Sequence, residues 1–457
     1  MALKETTVRF RADEELLNKL DYCAENTNKS KSDVIRTGIE AYYDKVRDSP
    51  VAPVIDKTKG KRVVELFAGV GGFHLGLSHA NRGFNTIWAN QWEPGKKAQY
   101  AFDCYQYHYG RTVECICKDI AEVKEQVPEH ELLVGGFPCQ DYSVAHTGAE
   151  GIRGKKGVLW WEIRDILERR RPPFVLLENV DRLLKSPAKQ RGRDFGIMLW
   201  CFQQLGYHVE WRVINASEYG FPQRRRRVFM FASRSDTVYC GKTGKSSLEE
   251  IISSVGVFAK CFPIQGGFLG QETSVNGMTA EEVSDRFHFP FENGGIMRDG
   301  IVYTAEVTPV YEEPAQLGGL LERNVDEKYY LGENLAKWEY LKGAKKIERT
   351  ARNGHKYQFS EGAITFPDPL DKPSRTMLTS ESSVNRSTHV IEDPQTHRYR
   401  LLTPMECERL NGFEDDWTNT GMPQKFRYFC MGNALVVGII ERLGGEIANI
   451  LEDENNS

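Results

Sequence analysis

Gly135-Gly136-Phe137-Pro138-Cys139-Gln140-Asp141-Tyr142-Ser143 is the stretch on which the fold turns. It follows Glu131-Leu132-Leu133-Val134, an apolar run that reads as a short buried strand ending at two glycines. Gly-Gly lets the backbone turn sharply, and Pro138 fixes φ just before the thiol. A cysteine placed there sits on a rigid loop at the mouth of an α/β sheet. Most cysteines of intracellular proteins are inert packing, so Cys139 takes its meaning from what surrounds it.

Upstream, Arg62-Val63-Val64-Glu65-Leu66 reads as a strand running into Phe67-Ala68-Gly69-Val70-Gly71-Gly72-Phe73. A glycine turn between strand and helix cradles a cofactor in doubly wound sheets. His74 occupies the third glycine position of G-x-G-x-x-G, which argues against a dinucleotide. A second strand, Phe84-Asn85-Thr86-Ile87-Trp88-Ala89-Asn90, ends at Gln91-Trp92-Glu93, and a third ends at Lys118-Asp119-Ile120. Downstream, residues 146–157 hold glycines at 148, 151, 154 and 157, the composition of a mobile segment able to close over a substrate. A helix begins near Leu159. Phe174-Val175-Leu176-Leu177-Glu178-Asn179-Val180 is a buried strand whose terminal carboxylate faces the ligand crevice. Tyr219-Gly220-Phe221-Pro222-Gln223-Arg224-Arg225-Arg226-Arg227 then leads into the strand Val228-Phe229-Met230-Phe231.

In this order the motifs resemble those of the DNA cytosine methyltransferases that act on carbon 5. The resemblance runs from residue 61 to about 445, with residues 236–399 matched by position alone. It implies a doubly wound, Rossmann-like α/β catalytic domain dependent on S-adenosylmethionine, with an inserted target-recognition domain. It makes Phe67, Ala68, Gly69, Gly71 and Gly72 the cofactor loop. Gln91 stands where the family usually has an acid on the ribose hydroxyls, and offers a neutral amide oxygen instead. Trp92 lies against the adenine, and Asp119 with Ile120 receives its amino group. Pro138, Leu159, Asn433 and Ala434 complete the cofactor contacts, Ala434 replacing a frequent serine. Arg400-Leu401-Leu402-Thr403-Pro404-Met405-Glu406 opens the ninth motif, and Met431-Gly432-Asn433-Ala434-Leu435 the tenth.

The implied chemistry is specific. Carbon 5 of cytosine is a poor nucleophile, so Cys139 attacks carbon 6 first, as a thiolate favoured by positive surroundings. Glu178 holds or protonates ring nitrogen 3. Arg227 binds the exocyclic oxygen, and Arg225 steadies the cysteine loop. The base must leave the duplex to be reached. Two alternatives remain open: a DNA-binding regulator with a secondary methyltransferase body, and a tRNA cytosine methyltransferase of the same fold.

Thr6-Thr7-Val8-Arg9-Phe10-Arg11-Ala12 alternates as a strand does, and two amphipathic helices follow, the second capped by Ser30 or Ser32. Strand, helix and capped helix resemble the ribbon-helix-helix DNA-binding domains, which pair two chains. That resemblance implies a homodimer with Thr7, Arg9 and Arg11 against base edges. The expected organisation is therefore a ribbon-helix-helix domain over 1–48 and a linker over 49–60. The catalytic domain follows over 61–235, the recognition domain over 236–399, and a return to the catalytic domain over 400–457.

Composition narrows the classes. With 457 residues, two or three domains are expected, and a net charge of -4 confines any basic face to local runs such as Arg169-Arg170-Arg171. No stretch approaches the ~20 apolar residues of a membrane span, and Met1 to Arg11 is too polar for a signal peptide. Ten cysteines without a C-x-x-C pair suggest reduced thiols and no metal. The expected setting is a prokaryotic cytoplasm, beside the nucleoid, within a restriction-modification system.

Overall fold

The computed structural model describes residues 14–27, 29–48, 60–137, 159–332, 335–350 and 354–456. Thr7, Arg9 and Arg11 with their strand, the linker up to residue 59, Pro138, Cys139 and the stretch 146–157 lie outside the described residues. The chain divides into two compact units, Met1–Val54 and Ile55–Ser457.

In the smaller unit, α1 (Glu14–Thr27) and α2 (Lys31–Asp48) form a helix pair. Of the two candidate caps, Ser30 is the one used: its Oγ accepts the Asp33 amide at 3.1 Å. Leu16, Leu17 and Ile39 are 48%, 45% and 64% exposed among the described residues.

The larger unit is built on a ten-stranded sheet of order β3-β2-β1-β4-β5-β7-β6-β9-β10-β8. Its parallel half comprises β1 (Lys61–Leu66), β2 (Phe84–Asn90), β3 (Glu114–Ile116), β4 (Leu132–Gly136) and β5 (Phe174–Val180). The third strand ends two residues before Lys118, short of the expected limit. Then β7 (Arg226–Arg234) inserts antiparallel between β5 and β6 (Tyr207–Asn215). The chain winds outward from β1 to β3 and returns to β4 on the other side of β1. The crevice at such a reversal is where α/β sheets bind ligands.

Strand alternation sorts the core into two layers. Val63, Leu132, Val134, Phe174, Leu176, Phe229 and Phe231 pack with α3 (Gly72–His79) and with Ile440, Leu443 and Ile447 of the C-terminal helix Val437–Asn455. Val64, Leu133, Val175, Leu177, Val228 and Met230 face the helices Leu159–Arg170 and Arg193–Gln204. Burial on both faces explains why these strands read as continuous apolar runs.

The region 236–399 has two structural parts among the described residues. Its first part supplies β8 (Gly270–Ser274), β9 (Gly294–Arg298) and β10 (Ile301–Ala305), which extend the central sheet through β9 and β6. The later part carries a separate ribbon, β11 (Lys345–Thr350) paired with β12 (Lys356–Glu361). Among the described residues, no helix is long and apolar enough to cross a membrane.

Candidate active site

The mouth of the crevice forms where β1 and β4 end. After β1 the chain turns through Phe67 at φ 54, Gly69 at φ 56 and Gly71 at φ 90 before entering α3. A side chain on Gly71 would lie 2.7 Å from the Tyr109 ring, so the turn needs glycine for space as well as for φ. Among the described residues a Cβ on Gly69 meets nothing within 4 Å.

Three strand ends border this opening. Gln91 Oε1 accepts the Gly69 amide at 2.8 Å, so its carbonyl braces the glycine loop from below. The neighbouring Asn90 is buried and donates to the carbonyls of Ile116 and Lys118 at 3.2 and 2.8 Å, tying β2 to β3. Trp92 is 37% exposed on the rim. Asp119 Oδ1 caps the short helix Ile120–Val123 through the Ala121 amide at 3.0 Å, while Ile120 is buried beneath it. Leu159 begins its helix half-buried, and Asn433, exposed, ends the helix Gln424–Asn433 with Ala434 as its C-cap. Trp417 seals the loop from the return segment: its indole donates to the Val70 carbonyl at 2.8 Å.

Beneath the loop lies a cluster absent from the sequence reading. Glu65 is fully buried, and its Oε2 accepts the Tyr105 hydroxyl at 2.9 Å. Burial pushes its carboxyl up to about 8, with the Tyr105 hydrogen bond opposing. His74 stacks on Tyr109 at 3.6 Å, and burial pushes its imidazole down to about 3, so it is neutral.

The second half of the site is assembled by β5 and β7. Glu178 lies opposite Gly136 on β4 and beside β7, where Arg227 Nε stands 2.8 Å from its Oε1. Burial raises the Glu178 carboxyl, while Arg227 and then Arg225 pull it back down. Asn179, 2% exposed, donates from Nδ2 to the Phe137 carbonyl at 2.9 Å and accepts the Val180 amide at 2.8 Å. It thus clamps the stem of the cysteine loop two residues before Cys139.

The arginine run divides by strand alternation. Arg224 and Arg226 are exposed, whereas Gln223 and Arg225 are buried and Arg227 is half-buried. Among the described residues the hydrogen bonds of Arg225 run to Met377 O at 3.2 Å and Gly432 O at 2.8 Å, toward the insert and the return segment. Burial presses its pKa downward, Arg227 adds to this, and Glu178 opposes both. Gln223 does parallel work, donating to Asn411 Oδ1 at 3.1 Å and accepting the Met377 amide at 3.2 Å. Sequence reading quoted Gln223 and Asn179 without giving either a task. Period-two alternation across 223–227 was the available signal for Gln223.

A buried carboxyl raised by desolvation, an arginine against it and an adjoining braced glycine loop suit transfer chemistry on a polar ring. The profile of the C-5 cytosine-specific DNA methylases matches residues 61–449. The chain belongs to that family. It is 51% identical over 398 residues to the type II methyltransferase M.Sau3AI of Staphylococcus aureus, spanning 85% of this chain and 96% of that one. It is 26% identical over 393 residues to the type II methyltransferase M.SsoII of Shigella sonnei, spanning 86% and 81% respectively. Among solved structures, the S. pombe Dnmt2 methyltransferase shares the fold at a TM-score of 0.52 and 16% identity, over 86% of this chain and 99% of that one. The protein is a DNA cytosine methyltransferase acting on carbon 5. Among the described residues, no group of three or more His, Cys, Asp or Glu side chains is placed to hold a metal.

Proposed function

We propose that the protein methylates one cytosine in a specific duplex sequence, using S-adenosylmethionine, as the modification partner of a restriction endonuclease. The type II names of its relatives support the setting. The observation that carries the residue assignment is the Glu178–Arg227 pair, 2.8 Å apart beside the strand that delivers Cys139.

The crevice residues fit the cofactor. The loop of Phe67, Ala68, Gly69, Gly71 and Gly72 would take the methionyl tail, with no described atom within 4 Å of a Cβ on Gly69. Trp92 offers an indole face for the adenine. Asp119 keeps Oδ2 for the adenine amino group while Oδ1 caps its helix. Gln91 would have its amide nitrogen left for the ribose, since its oxygen serves Gly69. Ile120, Leu159, Asn433 and Ala434 would close the walls, and the resemblance adds Pro138. When bound, S-adenosylmethionine supplies an electrophilic methyl group.

Cys139 attacks carbon 6 of the flipped base as a thiolate. Glu178, whose carboxyl burial raises against the pull of Arg227, holds or protonates ring nitrogen 3, and Arg227 hydrogen-bonds the exocyclic oxygen, so charge leaving the sulfur is spread onto fixed groups. After carbon 5 is methylated, loss of its proton expels Cys139. Arg225 acts on the cysteine loop through Arg227 and Glu178. DNA carrying 5-fluorocytosine blocks the final elimination and should trap wild type covalently through Cys139. Cys139→Ser should form no adduct, and an adduct on another cysteine would refute the assignment. Methyl transfer to duplex DNA and not to tRNA decides between substrates.

The recognition role within 236–399 falls on the part after β10, because β8–β10 belong to the catalytic sheet. Residues 1–48 read as a ribbon-helix-helix domain, supported by the Ser30 cap and by the exposed Leu17 and Ile39, which a second copy would cover. Thr7, Arg9 and Arg11 would then read an operator in the enzyme's own promoter, giving feedback on methylation in the cytoplasm. Deleting residues 1–48 should yield a methylating monomer that no longer shifts the upstream DNA. A full-length protein that is monomeric and ignores that DNA would refute this role.

A further inference from the structure

The ribbon of β11 and β12 has two unlike faces. Cross-strand pairing sets Lys345 opposite Glu361, Ile347 opposite Phe359 and Arg349 opposite Tyr357 on one face. This face does the packing: Ile347 and Phe359 are half-buried, and the Arg349 guanidinium lies 3.7 Å from the Phe359 ring centre. The other face pairs Lys346 with Ser360, Glu348 with Gln358, and Thr350 with Lys356. All six of these side chains are exposed.

An isolated two-stranded ribbon is at best marginally stable, yet this one is held at its base by charged groups. Arg386 Nη1 donates to the carbonyls of Leu341 at 3.3 Å and Gly343 at 3.2 Å, and Nη2 to that of Gly362. Lys345 donates to Leu341 O at 3.1 Å and lies 3.8 Å from Glu361. Behind them Lys342, 1% exposed, donates to Thr388 O. The base is therefore oriented while the outward face is left to solvent. Nor does the charge match the rest of the chain. Residues 345–361 carry five basic against two acidic side chains, although the chain as a whole is -4.

We propose that this outward face reads base edges in the major groove of the substrate duplex, with Lys346, Gln358 and Ser360 as the specificity-determining side chains. The proposal rests on the DNA-methylating function stated above. A major groove about 12 Å wide admits a two-stranded ribbon, and its edge code matches these residue types. Lysine donates to the two acceptors of guanine, glutamine pairs bidentately with adenine, and serine serves either. Outward residues two apart on a strand are roughly 6.5 Å apart, close to two base steps, so the row samples alternate base pairs. Glu348 and Lys356 form a 3.0 Å ion pair on this face. That pair leaves Lys346 and Gln358, which bond to no other described side chain, as its recognition groups. The basic excess of the ribbon suits the phosphates flanking the groove.

The test uses the full-length protein with Lys346→Ala and Gln358→Ala, exposed positions where folding should be unaffected. Each enzyme methylates a plasmid library containing random sequence, and bisulfite sequencing reports the modified cytosines. Each variant should lose discrimination at one base pair of the wild-type site, with kcat/KM on that site lowered about 5- to 100-fold. The cofactor dissociation constant and melting midpoint should stay at wild-type values. Variants that keep the wild-type site and rate overturn the ribbon assignment alone. Equal loss on every sequence, with preferences intact, also overturns base reading and leaves only a phosphate grip. A wild type that methylates no duplex overturns the underlying function instead.

Discussion

Asn179→Ala isolates the joint between the catalytic carboxylate strand and the cysteine loop. The side chain is 2% exposed, and its Nδ2 holds the Phe137 carbonyl at 2.9 Å. Truncation leaves that carbonyl buried with no donor, which costs about 1–3 kcal/mol of stability. The kinetic loss should be larger. Cys139 lies two residues along from the released carbonyl, and a reacting group misplaced by about 1 Å loses about 10²-fold in rate. That factor equals about 2.7 kcal/mol on the barrier. Asn179→Asp sharpens the test, because a carboxylate accepts only. It can keep the bond from the Val180 amide, but it faces the Phe137 carbonyl with a second oxygen, so the rate should fall at least as far. The assay is the rate of covalent trapping by 5-fluorocytosine DNA, which reports attack by the thiol directly. Urea melts and cofactor titration run alongside. Trapping within about threefold of wild type, together with the expected loss of stability, would refute the argument that the clamp positions the nucleophile.

Glu178→Gln should slow transfer by about 10²–10³; because donation needs the proton that burial retains, wild-type kcat should decline as pH rises through the elevated pKa, and the variant should lack that alkaline limb. Gln91→Ala removes the acceptor for the Gly69 amide, a neutral bond of about 0.5–1.5 kcal/mol, so cofactor affinity should fall about 2- to 12-fold with DNA affinity unchanged. Glu65 concerns stability alone: a carboxyl raised to about 8 stabilises the fold below its unfolded pKa and loses that contribution as pH climbs to about 8. Glu65→Gln should therefore gain stability relative to wild type between pH 5 and 8.5, read from urea melts at both pH values, and parallel pH profiles would show that Glu65 is not the titrating group.

Much of the catalytic half was legible because its signals are local. Strands buried on both faces give continuous apolar runs, glycines mark turns, and a carboxylate at a strand end marks the crevice. What stayed hidden depends on partners distant in sequence. Nothing near Glu65 announces that Tyr105 will reach its carboxylate from 40 residues away. Gln91 could be placed at the crevice from its strand end, but its bond to Gly69 requires β1 and β2 to be adjacent. The insert was the hardest part. The edge strand β8 carries little apolar alternation, since much of it is exposed, and β10, between β9 and β8, is a short run without a clear period of two. Period alone could not assign these strands to the central sheet.

Arg225 shows why a charged residue is useful where an apolar one would fill the same space. A buried guanidinium must find acceptors, and here they come from Met377 in the insert and Gly432 in the return segment. Those segments meet each other as well: a Cβ on Gly432 would fall 2.3 Å from the Thr379 amide, so only glycine permits that approach. Gln223 repeats the arrangement one step earlier on the same face, through Met377 and Asn411. Apolar side chains in these positions would pack almost equally well with either segment displaced. The polar pair is satisfied only when both are docked, and an unsatisfied buried charge is strongly destabilising. Because Arg227 follows on the same face and lies against Glu178, the docking that places Arg225 also bears on the electrostatics of the Glu178 carboxyl. The segments that carry Met377 and Gly432 are therefore joined to the Glu178 carboxyl through one strand.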